Sequence, residues 1–306
     1  MSPIAPFTAL FTTFQITSPR PFRAVHAFDG NSTFTPAEIV ALNQRFAFVD
    51  LNLRYLAPTL KKAVAGLPPT DSTRKDVELV TNWNGETRDR NGDGFYDGPQ
   101  PAIMRAWLPI LFAKVLGDDL PASVAAQYSA APYASGVERR FSIRPSAAMK
   151  LVYNAILGPE SGVHQRVDLF NGVDPGKVLL ETYEEAMAKL RATNGSDLTT
   201  WKVPIATHLF DSKNFLGIPQ TTPDNAISGP QYMNRGTANI LAVLGRGDPE
   251  LCLSAPPGQS GFIAPDGSKS PNYSDQLDLW TNFQCRTEHL SANDVLRNTL
   301  SVTVLH

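Results

Sequence analysis

The chain has 306 residues and a formal net charge of −2; hydrophobic residues make up 42% of it and charged residues 18%. This composition is typical of a globular protein with a sizeable core and excludes a largely disordered chain. The sequence has no run of lysine or arginine, which argues against a nucleic-acid or anionic-membrane partner. It also has no apolar stretch near the roughly 20 residues needed to span a bilayer.

The first stretch of the chain, residues 1–19, is predicted to be an irregular leader, and residues 20–306 are predicted to form the folded region. Residues 1–19 carry neither a basic n-region nor a continuous apolar h-region. A secretory signal peptide is therefore not indicated in this sequence.

Helices are predicted over the first two-thirds of the chain. Thr35 and Glu38 form a capping box, and apolar residues then recur at alternating three- and four-residue steps. This stripe predicts one long helix ending near residue 66, which Pro58 is expected to kink or divide. Pro109 is expected to interrupt another helix in the same way. The further predicted helices span residues 77–83, 102–116, 146–157 and 175–191.

After Trp201 the pattern changes to short apolar pieces between turns rich in glycine and proline. The pieces at 240–244 and 301–305 are predicted strands. The fold class is therefore α+β, helical at first and then rich in strands and loops. The last strands are expected to join a sheet whose other strands lie outside this chain.

The polar run DRNGDGFYD at residues 89–97 has the spacing of the front of a calcium-binding loop. Gly94 allows a sharp turn, and Gln100 replaces the bidentate glutamate of an EF-hand, so weaker binding of a structural calcium ion is predicted. The alternative is a loop of Asx turns that binds nothing. The candidate calcium ligands are Asp89, Asn91, Asp93, the carbonyl of Phe95, and Asp97.

Several sequence motifs along the chain resemble the penicillin G acylase family. The most specific is PGQSGFIAPDG at 257–267, followed by Tyr273 and by Asp275 and Gln276. The others, in order, are DLNLR at 50–54, PTL at 58–60, VDLF at 167–170, NFLGIPQ at 214–220 and NRGT at 234–237. Together they span roughly residues 35–297 and correspond to the last half of the family's large β subunit.

The resemblance implies an N-terminal-nucleophile hydrolase with an αββα arrangement. It also implies hydrolysis of linear amides, which releases an aryl-acetic acid from a β-lactam nucleus or a similar amine. In this family the catalytic serine is the first residue of the β subunit, upstream of the matched region. We therefore expect the chain to lack the nucleophile, to be inactive by itself, and to need the upstream β segment and an α subunit. The alternative is a non-catalytic binding or structural module derived from the same fold.

Few residues of this chain are candidates for a direct role in such chemistry. The family's arginine near the substrate entrance would correspond to Arg20 or, with a short gap, to Arg23. Ser2 is a poor nucleophile candidate because prolines break the sequence that follows it. Ser260 fails the G-x-S-x-G pattern, since residue 262 is phenylalanine, and a tight packed loop is predicted there instead.

Cys252 and Cys285 flank the motif at 257–267 and are the chain's two cysteines. They form either a disulfide or a pair of buried free thiols. Members of the family are mostly periplasmic or secreted, so the resemblance implies an oxidising compartment and favours the disulfide.

Overall fold

The computed structural model describes residues 33–50, 52–129, 143–205, 207–209, 226–228, 239–244, 249–260 and 263–304. These residues belong to two compact units, which we call the helical unit (described residues within 46–207) and the strand unit (those within 31–45, 208–229 and 235–306). The predicted leader at 1–19 lies outside the described residues.

Helices dominate up to residue 194 and strands follow, which confirms the mixed α and β class predicted from the sequence. The larger helices are α1 Pro36–Phe48, α2 Asn52–Ala63, α3 Ser72–Thr81, α4 Gln100–Leu116, α5 Ala122–Ser129, α6 Ile143–Leu157 and α7 Pro175–Asn194. The strands are β1 Thr207–Leu209, β2 Ala226–Ser228, β3 Asn239–Val243, β4 Glu250–Ser254 and β5 Arg286–Glu288. Two short helices, α8 Leu277–Thr281 and α9 Ala292–Arg297, lie among or after the last strands.

Helix α4 is the centre of the helical unit. Its buried residues include Ile103, Trp107, Leu108, Leu111 and Phe112, which lie on several sides of the helix. A helix that is apolar all round must be covered on all sides. Accordingly α4 packs most extensively against α7 and also contacts α3, α5 and α6.

A buried polar contact fixes the register between α4 and α7. The indole N–H of Trp107 donates to Thr182 Oγ1 at 3.0 Å, and the ring meets Tyr183 edge-on with centroids 5.1 Å apart. Thr182 Oγ1 in turn donates to the carbonyl of Val178 on its own helix. Because a buried N–H without an acceptor is costly, this contact favours the alignment of the two helices in which the bond forms.

The long helix predicted from residue 35 onward is two helices, and the division lies after Phe48 rather than at Pro58. The backbone leaves the helix because it pairs elsewhere: Val49 bridges to Glu86, and Asp50 N donates to the carbonyl of Gly85 at 2.7 Å. Asp50 Oδ1 then accepts the N–H of Asn52, where α2 begins. Pro58 lies on the exposed side of α2, which continues through it.

The predicted interruption at Pro109 is also wrong, because α4 runs unbroken from Gln100 to Leu116. One missing backbone donor costs less than the packing that α4 gains along its whole length. The predicted stop at Asn194 and Gly195 is confirmed: α7 ends there, with Gly195 at φ +80°.

In the strand unit, β3, β4 and β5 form an antiparallel sheet in that order. Asn239 lies opposite Ser254, and Cys252 lies opposite Leu241 on one side and Thr287 on the other. The predicted strand at 240–244 is confirmed as β3. The strand predicted at 301–305 is wrong for residues 301–304, which are not in a strand; residue 305 lies outside the described residues.

The predicted capping box at the start of α1 is confirmed. Thr35 N donates to Glu38 Oε2 at 2.7 Å, and Glu38 N donates to Thr35 Oγ1 at 3.3 Å. The Glu38 carboxylate accepts from both the backbone N–H and the hydroxyl of Thr35, and these two hydrogen bonds lower the pKa of Glu38. A local pattern of two residues therefore fixes where this helix begins.

We predict that Thr182→Val destabilises the protein by about 1–3 kcal/mol, because the indole N–H of Trp107 loses its buried acceptor. The free energy of unfolding, measured by urea titration, checks this. The matched control is Thr193→Val on the same helix, because Thr193 makes the same hydrogen bond to the carbonyl four residues back but is exposed. Equal losses in the two variants would contradict the role of the tryptophan contact.

Candidate functional site

The most distinctive region of the strand unit is the loop of residues 255–276, which joins β4 to α8; we call it the signature loop. Gln276 closes it: its Oε1 accepts the N–H of Ala255 at 2.6 Å, and its own N–H donates to the carbonyl of Pro257 at 3.1 Å. Gln276 is buried, and its Nε2 has no hydrogen-bond partner among the described residues. The two ends of the loop are thus held together through one side chain.

The two arms of the signature loop touch at Gly258. A Cβ at this position would collide with the carbonyl oxygen of Asn272 and would lie 2.7 Å from Asp275 Oδ1. Beside it, Ser260 N donates to the same Asn272 carbonyl at 3.1 Å. The glycine of the motif is therefore required by close backbone approach, which no other residue permits without a shift.

The tip of the signature loop is a small turn of its own. Ile263 pairs with Lys269, and Ala264 N donates to the carbonyl of Ser268 at 2.8 Å. The hydrogen bonds from Ser268 to Asp266 lower the pKa of that carboxyl group. The tip is exposed, so its polar groups are available to solvent.

Two buried aromatic side chains lie at the base of the signature loop. Tyr273 and Trp280 are each 2% exposed, and the ammonium of Lys269 lies 4.7 Å from the centroid of the Tyr273 ring. Trp280 N donates to the carbonyl of Gln276, which links the end of the loop to α8. Tyr273 and Gln276 of the family motif therefore act in packing and closure.

The predicted disulfide is confirmed. Cys252 on β4 is bonded to Cys285, just before β5, with the two Cα atoms 5.4 Å apart. The bond closes a segment with a sequence separation of 33 residues, and the whole signature loop lies within that segment. Closing a segment of this length restricts the unfolded chain and so favours the folded loop.

Ser260 lies in the tight loop predicted for it, next to the close approach at Gly258. Residues 261 and 262 lie outside the described residues. A histidine–carboxylate pair does occur elsewhere in the strand unit, where His289 Nδ1 lies 2.8 Å from Asp294 Oδ2. Both side chains are exposed at the start of α9, so this pair is a surface contact around a helix start.

In the helical unit, the predicted calcium loop at 89–97 is folded around its first carboxylate. Asp89 Oδ1 accepts the N–H groups of Gly92 and Asp93, and Oδ2 accepts that of Gly94 at 3.0 Å. Asp93 Oδ1 accepts the N–H of Phe95 at 3.0 Å. The side-chain oxygens thus serve the loop's own backbone, as in a series of Asx turns.

Basic side chains approach the remaining oxygens of this acidic loop. Lys202 Nζ lies 2.7 Å from Asp93 Oδ2, and this contact is the main reason that the pKa of Asp93 is lowered. The guanidinium of Arg90 forms two ion pairs, with Asp97 Oδ2 at 2.8 Å and with Glu86 Oε2 at 2.6 Å. Within the described residues, no group of three or more histidine, cysteine or acidic residues is arranged as a metal site.

The acidic loop is also tied to the segment after α7. Tyr96 N donates to the carbonyl of Val203 at 3.0 Å, and Ile205 N donates to that of Gly94 at 2.9 Å. Sequence spacing identified the loop but missed Lys202, because a residue 109 positions away gives no local signal. The arginine candidates Arg20 and Arg23, like Ser2, lie outside the described residues.

No helix among those described is long and apolar enough to cross a lipid bilayer.

Comparisons with known proteins give a consistent result. The family model described as "Penicillin amidase" matches residues 6–297. Penicillin G acylase of Escherichia coli is 33% identical over 262 residues, which are 84% of this chain and 31% of that protein. The structure of a thermostable penicillin G acylase from Alcaligenes faecalis superposes with a TM-score of 0.77 at 32% identity, covering 92% of this chain and 51% of that one. The chain thus spans about a third of the length of the curated relative.

We predict that replacing Cys252 and Cys285 together by serine lowers the free energy of unfolding by about 3–4 kcal/mol, the chain-entropy value for a closed segment of this length. Urea titration followed by tryptophan fluorescence measures the loss. A reductant should destabilise the wild-type chain to the same extent and leave the double variant unchanged. A wild-type chain that is insensitive to reductant would contradict the prediction.

Proposed function

Because this chain belongs to the penicillin amidase family, we propose that it forms part of an amidase that hydrolyses linear C–N amide bonds. The proposed reaction releases an aryl-acetic acid from a β-lactam nucleus or a similar amine. The observation that carries the proposal is the match over 84% of the chain at 33% identity, together with the TM-score of 0.77. The proposed complete fold is the αββα arrangement of N-terminal-nucleophile hydrolases.

In this proposal the nucleophile comes from polypeptide outside this chain. A serine hydroxyl is a weak nucleophile at neutral pH and needs an adjacent base, which in this class of hydrolase is the serine's own α-amine. The tetrahedral intermediate also needs donors aimed at its oxyanion. The chain spans 31% of one relative and 51% of the other, which leaves room in those proteins for such groups. The role of this chain is then to supply scaffold and sheet strands.

We propose a periplasmic or extracellular location. The disulfide between Cys252 and Cys285 supports it, because such bonds form and persist in oxidising compartments and are rare in reducing ones.

We also propose that the loop at 89–97 binds calcium weakly. Its support is the spacing of oxygen-bearing side chains at 89, 91, 93 and 97 together with Gly94, which turns the chain sharply at φ +83°. A calcium ion would have to displace the ammonium of Lys202 from Asp93. Affinity well below that of an EF-hand is the expected consequence.

We predict that the purified chain does not release phenylacetate from a chromogenic phenylacetyl amide under conditions in which a complete penicillin G acylase does. The assay is run on protein shown to be folded by circular dichroism. Turnover that disappears in Ser260→Ala or Ser2→Ala would contradict the proposal that the nucleophile lies outside this chain.

The amidase proposal and the alternative of a non-catalytic module both explain a chain that shows no activity by itself. A chimaera distinguishes between them. In the chimaera this chain replaces the aligned region of the Escherichia coli enzyme. Phenylacetyl-amide hydrolysis by the folded chimaera supports a scaffold competent for catalysis. A folded chimaera without activity favours a module that has lost this role.

We predict that calorimetric titration of the metal-free chain with calcium shows one weak site. The Asp89→Ala, Asp93→Ala double variant should lose it, because both carboxylates are proposed ligands. Lys202→Ala should bind more tightly than the wild type, since no ammonium competes for Asp93. Lys177→Ala is the control for loss of one positive charge, because Lys177 is on α7 and pairs there with Glu181. No heat of binding in either the wild type or Lys202→Ala would end the calcium proposal.

A further inference from the structure

Asparagine followed by glycine occurs four times in the chain, at 84–85, 91–92, 171–172 and 194–195. All four asparagines are exposed. In such a pair the backbone nitrogen of the glycine can attack the side-chain amide carbon of the asparagine, because glycine has no side chain to obstruct the approach. Asparagine is for this reason among the thermally labile residues. Which of the four pairs reacts in the folded protein depends on the hydrogen bonds around each.

In three of the pairs the glycine N–H is donated to an acceptor. The acceptors are Asp89 Oδ1 at 2.7 Å for Gly92, Asp168 Oδ2 at 2.7 Å for Gly172, and the carbonyl of Arg191 at 2.9 Å for Gly195. The nitrogen must lose its proton before it can act as a nucleophile, and a hydrogen bond made by the protonated form opposes that loss. These three pairs are therefore protected by the fold.

The pair Asn84–Gly85 differs from the others in both of its reacting groups. Within the described part of the chain, the N–H of Gly85 makes no hydrogen bond. The side-chain Oδ1 of Asn84 accepts the N–H of Glu86 at 2.9 Å. A donor on this oxygen stabilises the negative charge that develops there when the amide carbon is attacked. The nucleophile is thus unprotected, and the carbonyl that it attacks is activated.

We propose that Asn84 is a site of spontaneous deamidation. The nitrogen of Gly85 loses its proton and bonds to Cγ of Asn84. The bond between Cγ and the side-chain nitrogen then breaks, and that nitrogen leaves as ammonia, which gives a five-membered succinimide. Water opens the ring at either carbonyl, so the product is aspartate or isoaspartate, and water is the only co-reactant.

The modification falls at a structural junction of the helical unit. The carbonyl of Gly85 accepts the N–H of Asp50 at 2.7 Å, and Glu86 bridges to Val49. An isoaspartate at position 84 adds one methylene group to the backbone directly before this pairing and so weakens it. Gly85 is buried against Val49 and Asp50, so the reaction is slower in the folded protein than in the unfolded chain.

Incubation of the folded chain in mildly alkaline buffer tests the proposal, with peptide mass spectrometry to follow the conversion of each amide to an acid. An isoaspartate-specific methyltransferase identifies the isoaspartate product. We expect Asn84 to convert about tenfold or more faster than Asn91, Asn171 and Asn194, since each of these is protected by one hydrogen bond. In urea the four rates should become similar, because the hydrogen bonds of the fold are lost.

Two variants test the role of the glycine N–H. Asp168→Asn retains an amide oxygen for the N–H of Phe170, which Asp168 Oδ1 accepts in the wild type, but removes a carboxylate oxygen from Gly172. Conversion of Asn171 should then rise several-fold while that of Asn84 stays unchanged. Asn84→Gln is the control that assigns the signal, because it should abolish the conversion in this peptide alone.

Fastest conversion at Asn84 in the folded chain, with Asn171 accelerated in Asp168→Asn, supports the proposal. A folded chain in which Asn84 converts no faster than the other three overturns it. An Asp168→Asn variant that leaves Asn171 unchanged also overturns it, because the glycine N–H would then not control the rate. These outcomes do not depend on amidase activity, so they are separate from those of the activity assays.

Discussion

The amide of Gln276 is the contact on which the shape of the signature loop depends. Its Oε1 accepts the N–H of Ala255 just after β4, while its backbone lies just before α8. Without this acceptor a partly buried N–H would lose its partner, and the ends of a 22-residue loop would be held less firmly. Gly258 allows the two arms of the loop to approach each other closely. The disulfide between Cys252 and Cys285 links the segments on either side of the loop. The motif that identifies the family is therefore explained here by packing and backbone hydrogen bonding.

The two units differ in how they are stabilised. The helical unit contains an extended apolar cluster around α4, with Trp107, Leu108 and Leu111 fully buried. Among the described residues of the strand unit, the buried hydrophobic side chains are Tyr273 and Trp280. These described residues bury little apolar surface, and the disulfide between Cys252 and Cys285 adds a further constraint there.

The carboxylates of the acidic loop at 89–97 both accept hydrogen bonds from the loop's own backbone and form ion pairs with basic side chains. Asp89 satisfies three backbone N–H groups, and Asp93 and Asp97 pair with Lys202 and Arg90. Internal pairing of this kind connects the loop to the segment after α7. A cation bound at this loop would compete with the ammonium of Lys202 for the carboxylate oxygen of Asp93.

The sequence by itself determined the features that depend on near neighbours in the chain. The capping box at Thr35, the end of α7 at Gly195 and the strand β3 were all predicted from short patterns. The class of the fold followed from the change of apolar pattern along the chain, and the family followed from the resemblance of its motifs. For the cap, the helix end and the strand, the physical cause lies within a few residues, where helix capping, glycine at positive φ and two-residue alternation act.

Only the tertiary structure decided the features that depend on distant partners. The break after Phe48 exists because Val49 pairs with Glu86, and Lys202 reaches Asp93 across 109 positions. Residues 301–304 have the pattern of a strand but are not in one, because a strand requires a partner edge and its own sequence cannot provide that. The periodicity of a sequence predicts which side chains share one face of a helix or strand. The position of a helix break, a salt bridge or a strand pair depends instead on the distant residues that contact that segment.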